Sequence, residues 1–108
     1  MNDLVHRLCQ KDHPVEVSLR PERTLKGFKD CIGRGYIHIR FTNTKGGTEL
    51  GVRLDSNLTD LSNADLENGT GTAHLVGGLT LDYTKVRCIA DIDLRTLEGN
   101  GHLEALTS

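Results

Sequence analysis

Along most of this chain apolar and polar residues alternate with a period of two. Val15, Val17 and Leu19 alternate with Glu16, Ser18 and Arg20, and Ile37, Ile39 and Phe41 with Tyr36, His38, Arg40 and Thr42. Leu50, Val52 and Leu54 alternate with Glu49, Gly51, Arg53 and Asp55. Ala73, Leu75, Gly77, Leu79, Leu81 and Tyr83 hold one phase through Gly77-Gly78, which predicts a single long strand bent or bulged at the glycines. Val86, Cys88, Ala90, Ile92 and Leu94 follow against Arg87, Asp91, Asp93 and Arg95, and Leu103 and Ala105 close the series. Strict alternation marks strands with one dry and one wet face, the habit of antiparallel sheet.

The breaks between these runs are glycine-rich. Ten of the twelve glycines fall in five close pairs, the spacing of turns and bulges. NTKGG (43–47) and LEGNG (97–101) are predicted hairpin loops, and DYTK (82–85) a tight turn.

Helical periodicity is limited to short pieces. In PERTLKGFKDCI, Leu25, Phe28 and Ile32 recur at helical spacing behind Pro21, a residue suited to a first turn. Leu4, Val5, Leu8 and Cys9 form a second apolar face, and Ser62 to Asp65 reads as a capping signal for a very short turn. The expected fold is α+β, mainly antiparallel β: about six strands in a twisted or half-barrel sheet packed on one principal helix, residues 21 to 32, on the concave side. A one-sided sheet must cover its apolar face; the helices are the local material for it, and if they are insufficient a second copy of the chain would cover the rest.

Composition adds constraints. At 108 residues, residues 1–108 read as one domain, and 36% hydrophobic with 26% charged residues is a globular balance. With two Phe, two Tyr and no Trp, the core falls to aliphatic side chains and any aromatic binding platform is small. There is no signal-like or membrane-length apolar run, which makes a cytoplasmic protein with no membrane contact the expectation. Cys9, Cys31 and Cys88 are odd in number and widely spaced, so neither a disulfide framework nor a zinc ribbon is indicated.

The net charge of −2 hides a split: residues 20–45 carry a balance of +5, and residues 46–108 one of −6. Such a division steers charged partners or lets copies dock on one another.

Against that background the candidate chemistry is sparse. RGYIHIRF (34–41) approaches the octapeptide of RNA-recognition domains, with Tyr36 and His38 placed to stack and Arg40 to hold phosphate. It departs where Ile37 replaces a small residue, and VEVSLR (15–20) lacks the aromatic such domains carry on the partner strand. Tyr36, His38 and Arg40 are instead expected to form a varied exposed stripe, the first place to seek a partner contact. Asp91 and Asp93, with His102 and Glu104, would form a carboxylate and histidine cluster if the LEGNG hairpin pairs their strands, able to hold a hard cation or work as an acid/base pair. His38, His74 and His102 lie on three strands and would converge only if those strands are neighbours. His6 and Cys9 stand three apart, with no second pair at ligand spacing, so no metal or other cofactor is called for. Cys31 follows a basic turn, Lys26 and Lys29, of the kind that could lower a thiol pKa, though no nucleophile signature surrounds it.

No catalytic motif is present. The sequence therefore favours a small non-enzymatic binding or regulatory module acting through protein contact, as a homodimer in one form. The alternatives are a small-molecule site or enzyme in a cleft between curved sheet and helix, and nucleic-acid binding through Arg20, Arg23, Lys26, Lys29, Arg34 and Arg40.

Overall fold

The computed structural model describes residues 3–18, 24–44, 47–81 and 83–106. In chain order the elements are α1 (Asp3–Gln10), β1 (His13–Val17), α2 (Leu25–Arg34), β2 (Tyr36–Phe41), β3 (Thr48–Leu54), β4 (Ala64–Asp65), β5 (Thr70–Leu81), β6 (Thr84–Asp93) and β7 (Glu98–Ala105). All strand pairs are antiparallel, in the order β3-β2-β1-β7-β6-β5-β4. A further pairing of β3 with β5 joins the ends of six of these strands into a closed barrel, and β4 is an extra two-residue strand on the flank of β5.

Closure replaces the half-barrel and changes how the apolar face is covered. The inward residues Val15, Val17, Ile37, Ile39, Phe41, Val52, Leu75, Val86, Ile92 and Leu103 are all buried, and they belong to one cluster with Leu8 of α1 and Phe28 and Cys31 of α2. A six-stranded barrel is narrow enough for its own side chains to fill it. The sheet therefore buries its face mostly against itself, and the helices finish the job. Closure leaves less apolar sheet face for a second copy to cover than an open half-barrel would.

The seam that closes the barrel is short. β3 and β5 pair at only two positions, Arg53 with Gly78 and Leu54 with Gly77. Gly77 is what permits the approach: a Cβ there would run into the Arg53 carbonyl oxygen and stand 2.6 Å from Val52 Cγ1. As expected, β5 passes through Gly77-Gly78 as one long strand.

Several local expectations shift. Helix α2 begins at Leu25, capped by the Thr24 hydroxyl accepting from the Gly27 N–H (3.0 Å), and runs on to Arg34 before Gly35 ends it in a left-handed conformation. The expected start at Pro21 and the end of the first strand at Arg20 lie outside the described residues. Ser62 to Asp65 opens no helix. Ala64 and Asp65 pair with β5, and the Asp65 carboxylate accepts the N–H groups of Glu67 and Asn68, closing a tight turn. LEGNG is no loop either. The chain turns three residues earlier, at residues 94–97, with Leu97 at a φ of 58°, and Gly99 and Gly101 lie within β7. A side chain at Gly99 would strike the Asp91 carbonyl, so this glycine serves close strand contact rather than a turn.

Candidate functional site

Beyond its two paired positions the seam opens. In the β3–β5 register the next pairs would be Val52 with Leu79 and Gly51 with Thr80, yet among the described residues β3 before Arg53 and β5 after Gly78 have a strand neighbour on one side only. The alternation of backbone groups shows which way these edges face. The Leu54 N–H donates to the Gly35 carbonyl, on the β2 side, and the Asp55 N–H donates to the Val76 carbonyl of β5. Odd-numbered residues of β3 thus aim N–H and C=O at the seam, as do even-numbered residues of β5. Gly51 and Thr80 are in that phase.

The opening is a groove of about 690 Å³. Leu54 and Leu79, in the inward phase of their strands, form its floor. Tyr36 and Arg53 stand on one bank, Lys85 and Leu106 on the other. The Tyr36 side chain lies across Gly51, where any Cβ would collide with the phenol oxygen, and its ring meets His38 edge-on with centroids 5.2 Å apart. Tyr36 is 42% exposed and Leu106 48% exposed, while Tyr83 stands fully exposed at the β5–β6 turn joining Thr80 to Lys85. Of the four large apolar side chains exposed among the described residues, Tyr36 and Leu106 line the groove, and Tyr83 and Leu58 do not.

A second concavity, of about 520 Å³, lies between α2 and the outer face of β2. Asp30, Cys31 and Arg34 of α2 face Ser18, His38 and Glu49 across it. Arg34 Nη2 donates to Cys31 Sγ at 3.4 Å, and the Ser18 hydroxyl donates to Glu49. The cleft between sheet and helix expected from the sequence is on the concave side; this concavity lies on the outer face instead, and it contains His38 with two carboxylates.

The stripe Tyr36, His38 and Arg40 is exposed on β2 as expected. Its members serve different places: Tyr36 the seam groove, His38 the α2 cleft, and Arg40 a position over Gly47, with Glu16 and Glu49 as its cross-strand neighbours. The three strand histidines do not converge. His74 Nδ1 is 2.7 Å from Asp91 Oδ1, and His102 Nδ1 is 2.9 Å from Asp12 Oδ1.

Nor do Asp91, Asp93, His102 and Glu104 form one cluster. With the turn at residues 94–97, Asp91 lies opposite Asn100, Asp93 opposite Glu98, His102 opposite Ile89 and Glu104 opposite Arg87. Asp93 caps the Arg95 N–H at 2.9 Å, while Glu104 stands 3.9 Å from Arg87 and 3.8 Å from His102. The result is a set of exposed pairs spread along one face. Among the described residues no group of three or more His, Cys, Asp or Glu is placed to hold a metal, and no helix is long and apolar enough to cross a membrane.

The basic segment is similarly interleaved. Lys29 pairs with Glu67 at 3.5 Å and Arg34 leans on Cys31, whereas Arg20, Arg23 and Lys45 lie outside the described residues. All three cysteines are free thiols. Burial pushes the Cys88 thiol up to about 12, and burial is also the main cause that raises Cys9.

Sequence reasoning passed over His13, the one buried polar residue among those described, 3% exposed. Its Nε2 is 3.0 Å from the Arg7 carbonyl and its Nδ1 2.9 Å from Asn43 Nδ2. A carbonyl only accepts, so Nε2 carries the proton and Nδ1 accepts from Asn43. The ring thereby ties α1 and the loop after β2 to β1. The signal was its phase, since His13 alternates inward with Val15 and Val17. Arg53, Lys85 and Leu106 carried no comparable signal, because only the seam unites them.

Fold and surface together define a small antiparallel β-barrel with a filled interior and grooves on its surface. In sequence comparison no family model and no curated protein matches the chain.

Proposed function

We propose that this protein is a non-enzymatic binding module that acts by contact with another protein, and that the open seam is its contact surface. The observation that carries this reading is the gathering of the exposed Tyr36 and Leu106 with Leu54 and Leu79 around one groove of about 690 Å³ on a barrel whose interior is already filled. Exposed apolar side chains scattered singly are ordinary, but a cluster lining a concavity is typical of a contact site. Tyrosine suits that role because it joins apolar area to a hydrogen-bonding tip. A second copy of the chain is one partner this surface would serve.

Two measurements test this. Random twelve-residue peptides displayed on phage are selected on the immobilised protein, and sedimentation velocity follows its own association across concentration and salt. Support is a set of peptides, or a self-association, weakened about tenfold or more by the double substitution Tyr36→Ser/Leu106→Ser, as expected when hot-spot residues are truncated. Selections that enrich nothing from a protein that stays monomeric at high concentration and low salt sink the reading.

The α2 cleft supports a second reading, a small-molecule site. The observation in its favour is the Cys31 thiol held 3.4 Å from the Arg34 guanidinium in the same space as His38. Backbone NMR during a fragment screen decides it: shifts gathered at Ser18, Arg34 and His38 support a ligand there, and silence at all three removes it.

A further inference from the structure

We infer that the occupant of the seam groove is an extended peptide segment that adds as a strand where β3 and β5 part, with apolar side chains alternating with acidic ones. The inference rests on the protein-binding reading above and names the kind of partner.

Three features of the groove select this occupant. The first is backbone chemistry. Past the Arg53–Gly78 pair, Gly51 and Thr80 aim N–H and C=O into the groove, and no strand among the described residues pairs with them there. Alternating donors and acceptors on a strand edge are matched by another extended backbone, the basis of strand addition. A helix has no main-chain groups to offer sideways.

The second feature is the division between floor and rim. Leu54 and Leu79 lie below, while Tyr36, Arg53 and Lys85 stand above. A strand laid between them sends successive side chains alternately down and up, so the downward ones must be apolar and the upward ones meet the rim. The third is charge. Arg53 and Lys85 outnumber Asp55 among the charged residues that line the groove, which leaves it a balance of +1. The rim therefore favours acidic side chains in the upward positions.

Glycine at position 51 fits the same picture. No side chain obstructs the β3 edge there, and the Tyr36 ring spreads over it from the outer face.

The probes are two capped heptapeptides, Ac-Val-Glu-Val-Glu-Val-Glu-Val-NH2 and its Lys-for-Glu counterpart, titrated against the intact protein with amide hydrogen exchange read by NMR. The Glu peptide is expected to bind about tenfold more tightly than the Lys peptide at low salt, with the preference shrinking as salt rises. On binding, exchange at the Gly51 or Thr80 amide should slow about tenfold or more, as for a newly made backbone hydrogen bond. N-methylation of alternate residues of the peptide should abolish binding in one phase and spare it in the other, because only every second N–H faces the edge. The substitution pair Arg53→Glu/Lys85→Glu, on exposed side chains whose loss leaves the barrel intact, should reverse the preference between the two peptides.

Binding that slows exchange at neither Gly51 nor Thr80, or that suffers equally from methylation in both phases, overturns the extended occupant. So does a preference the charge reversal leaves unchanged. If peptides selected from a random library bind at Tyr36 and Leu106 as helices, the strand inference falls and the protein-binding reading stands. If no peptide, selected or designed, binds at Tyr36 and Leu106, the strand inference falls, and the protein-binding reading falls with it when the protein also stays monomeric.

Discussion

The barrel's dependence on a two-residue seam makes Gly77 and Gly78, neighbours in sequence, opposite in consequence. A methyl group at Gly77 would meet the Arg53 carbonyl oxygen, Val52 Cγ1 at 2.6 Å and Arg53 C at 2.8 Å, and two of these atoms are backbone that cannot swing aside. At Gly78 the nearest atom to a new Cβ is the Val86 carbonyl oxygen at 4.0 Å. Neither residue has a positive φ, so alanine is strained at neither by its own backbone. Overpacking of this kind costs about 1–3 kcal/mol, and separating the seam forfeits backbone hydrogen bonds worth about 1 kcal/mol each. Alanine in place of glycine returns roughly 0.4–1 kcal/mol by restricting the unfolded chain. Gly77→Ala should therefore destabilise by about 2–4 kcal/mol, and Gly78→Ala should be neutral or stabilise by up to about 1 kcal/mol. Urea unfolding of both variants gives the free energies, and exchange of the Asp55 amide, which donates to Val76 just past the seam at 2.8 Å, reports whether the seam has parted. A Gly77→Ala protein within about 0.5 kcal/mol of wild type, the scatter of ordinary surface changes, would refute the account of closure.

Other consequences are open to direct measurement. His13→Ala should cost about 2–3 kcal/mol, since it orphans the buried Arg7 carbonyl and the Asn43 amide as well as leaving a void; denaturant melts check this. Thr24→Ala should cost about 1 kcal/mol through loss of the α2 cap, with amide exchange quickening in the first turn of that helix. The folded protein holds the Cys88 proton up to about 12 against 9.0 ordinarily, so the stabilisation is complete below pH 9 and drains away as pH climbs toward 12. At pH 10.5 the loss is about 2 kcal/mol, absent from Cys88→Ala, and stability curves of the two proteins against pH compare it. The Asn68 side chain and the N–H groups it shares with Glu67 hold the Asp65 carboxyl below its usual range. The turn at residues 65–69 should accordingly be firm above the ordinary carboxylate pKa and loosen as pH falls through the lowered one, seen as broadening of the Asn68 side-chain amide signals; an Asp65 that titrates normally would contradict the geometry.

What the sequence determined was local. Period-two alternation specified the strands and their inward residues, because a half-buried strand shows its two faces in consecutive letters, and Val15, Ile37, Leu75 and Ile92 all point inward in that phase. Glycine was harder to interpret. The pair at 99 and 101 resembles a loop, yet serves contact between β6 and β7, and a glycine's letter does not say whether it is needed for a turn or for a neighbour's approach. That single ambiguity moved the last hairpin and dispersed the expected Asp91, Asp93, His102 and Glu104 cluster. Closure was decided wholly in three dimensions. It depends on Gly77 meeting Arg53 across more than twenty intervening residues, a contact with no local periodicity to announce it. The seam groove inherits that property: Tyr36, Gly51, Thr80, Lys85 and Leu106 come from four strands and the segment after β7, and only barrel closure makes them neighbours.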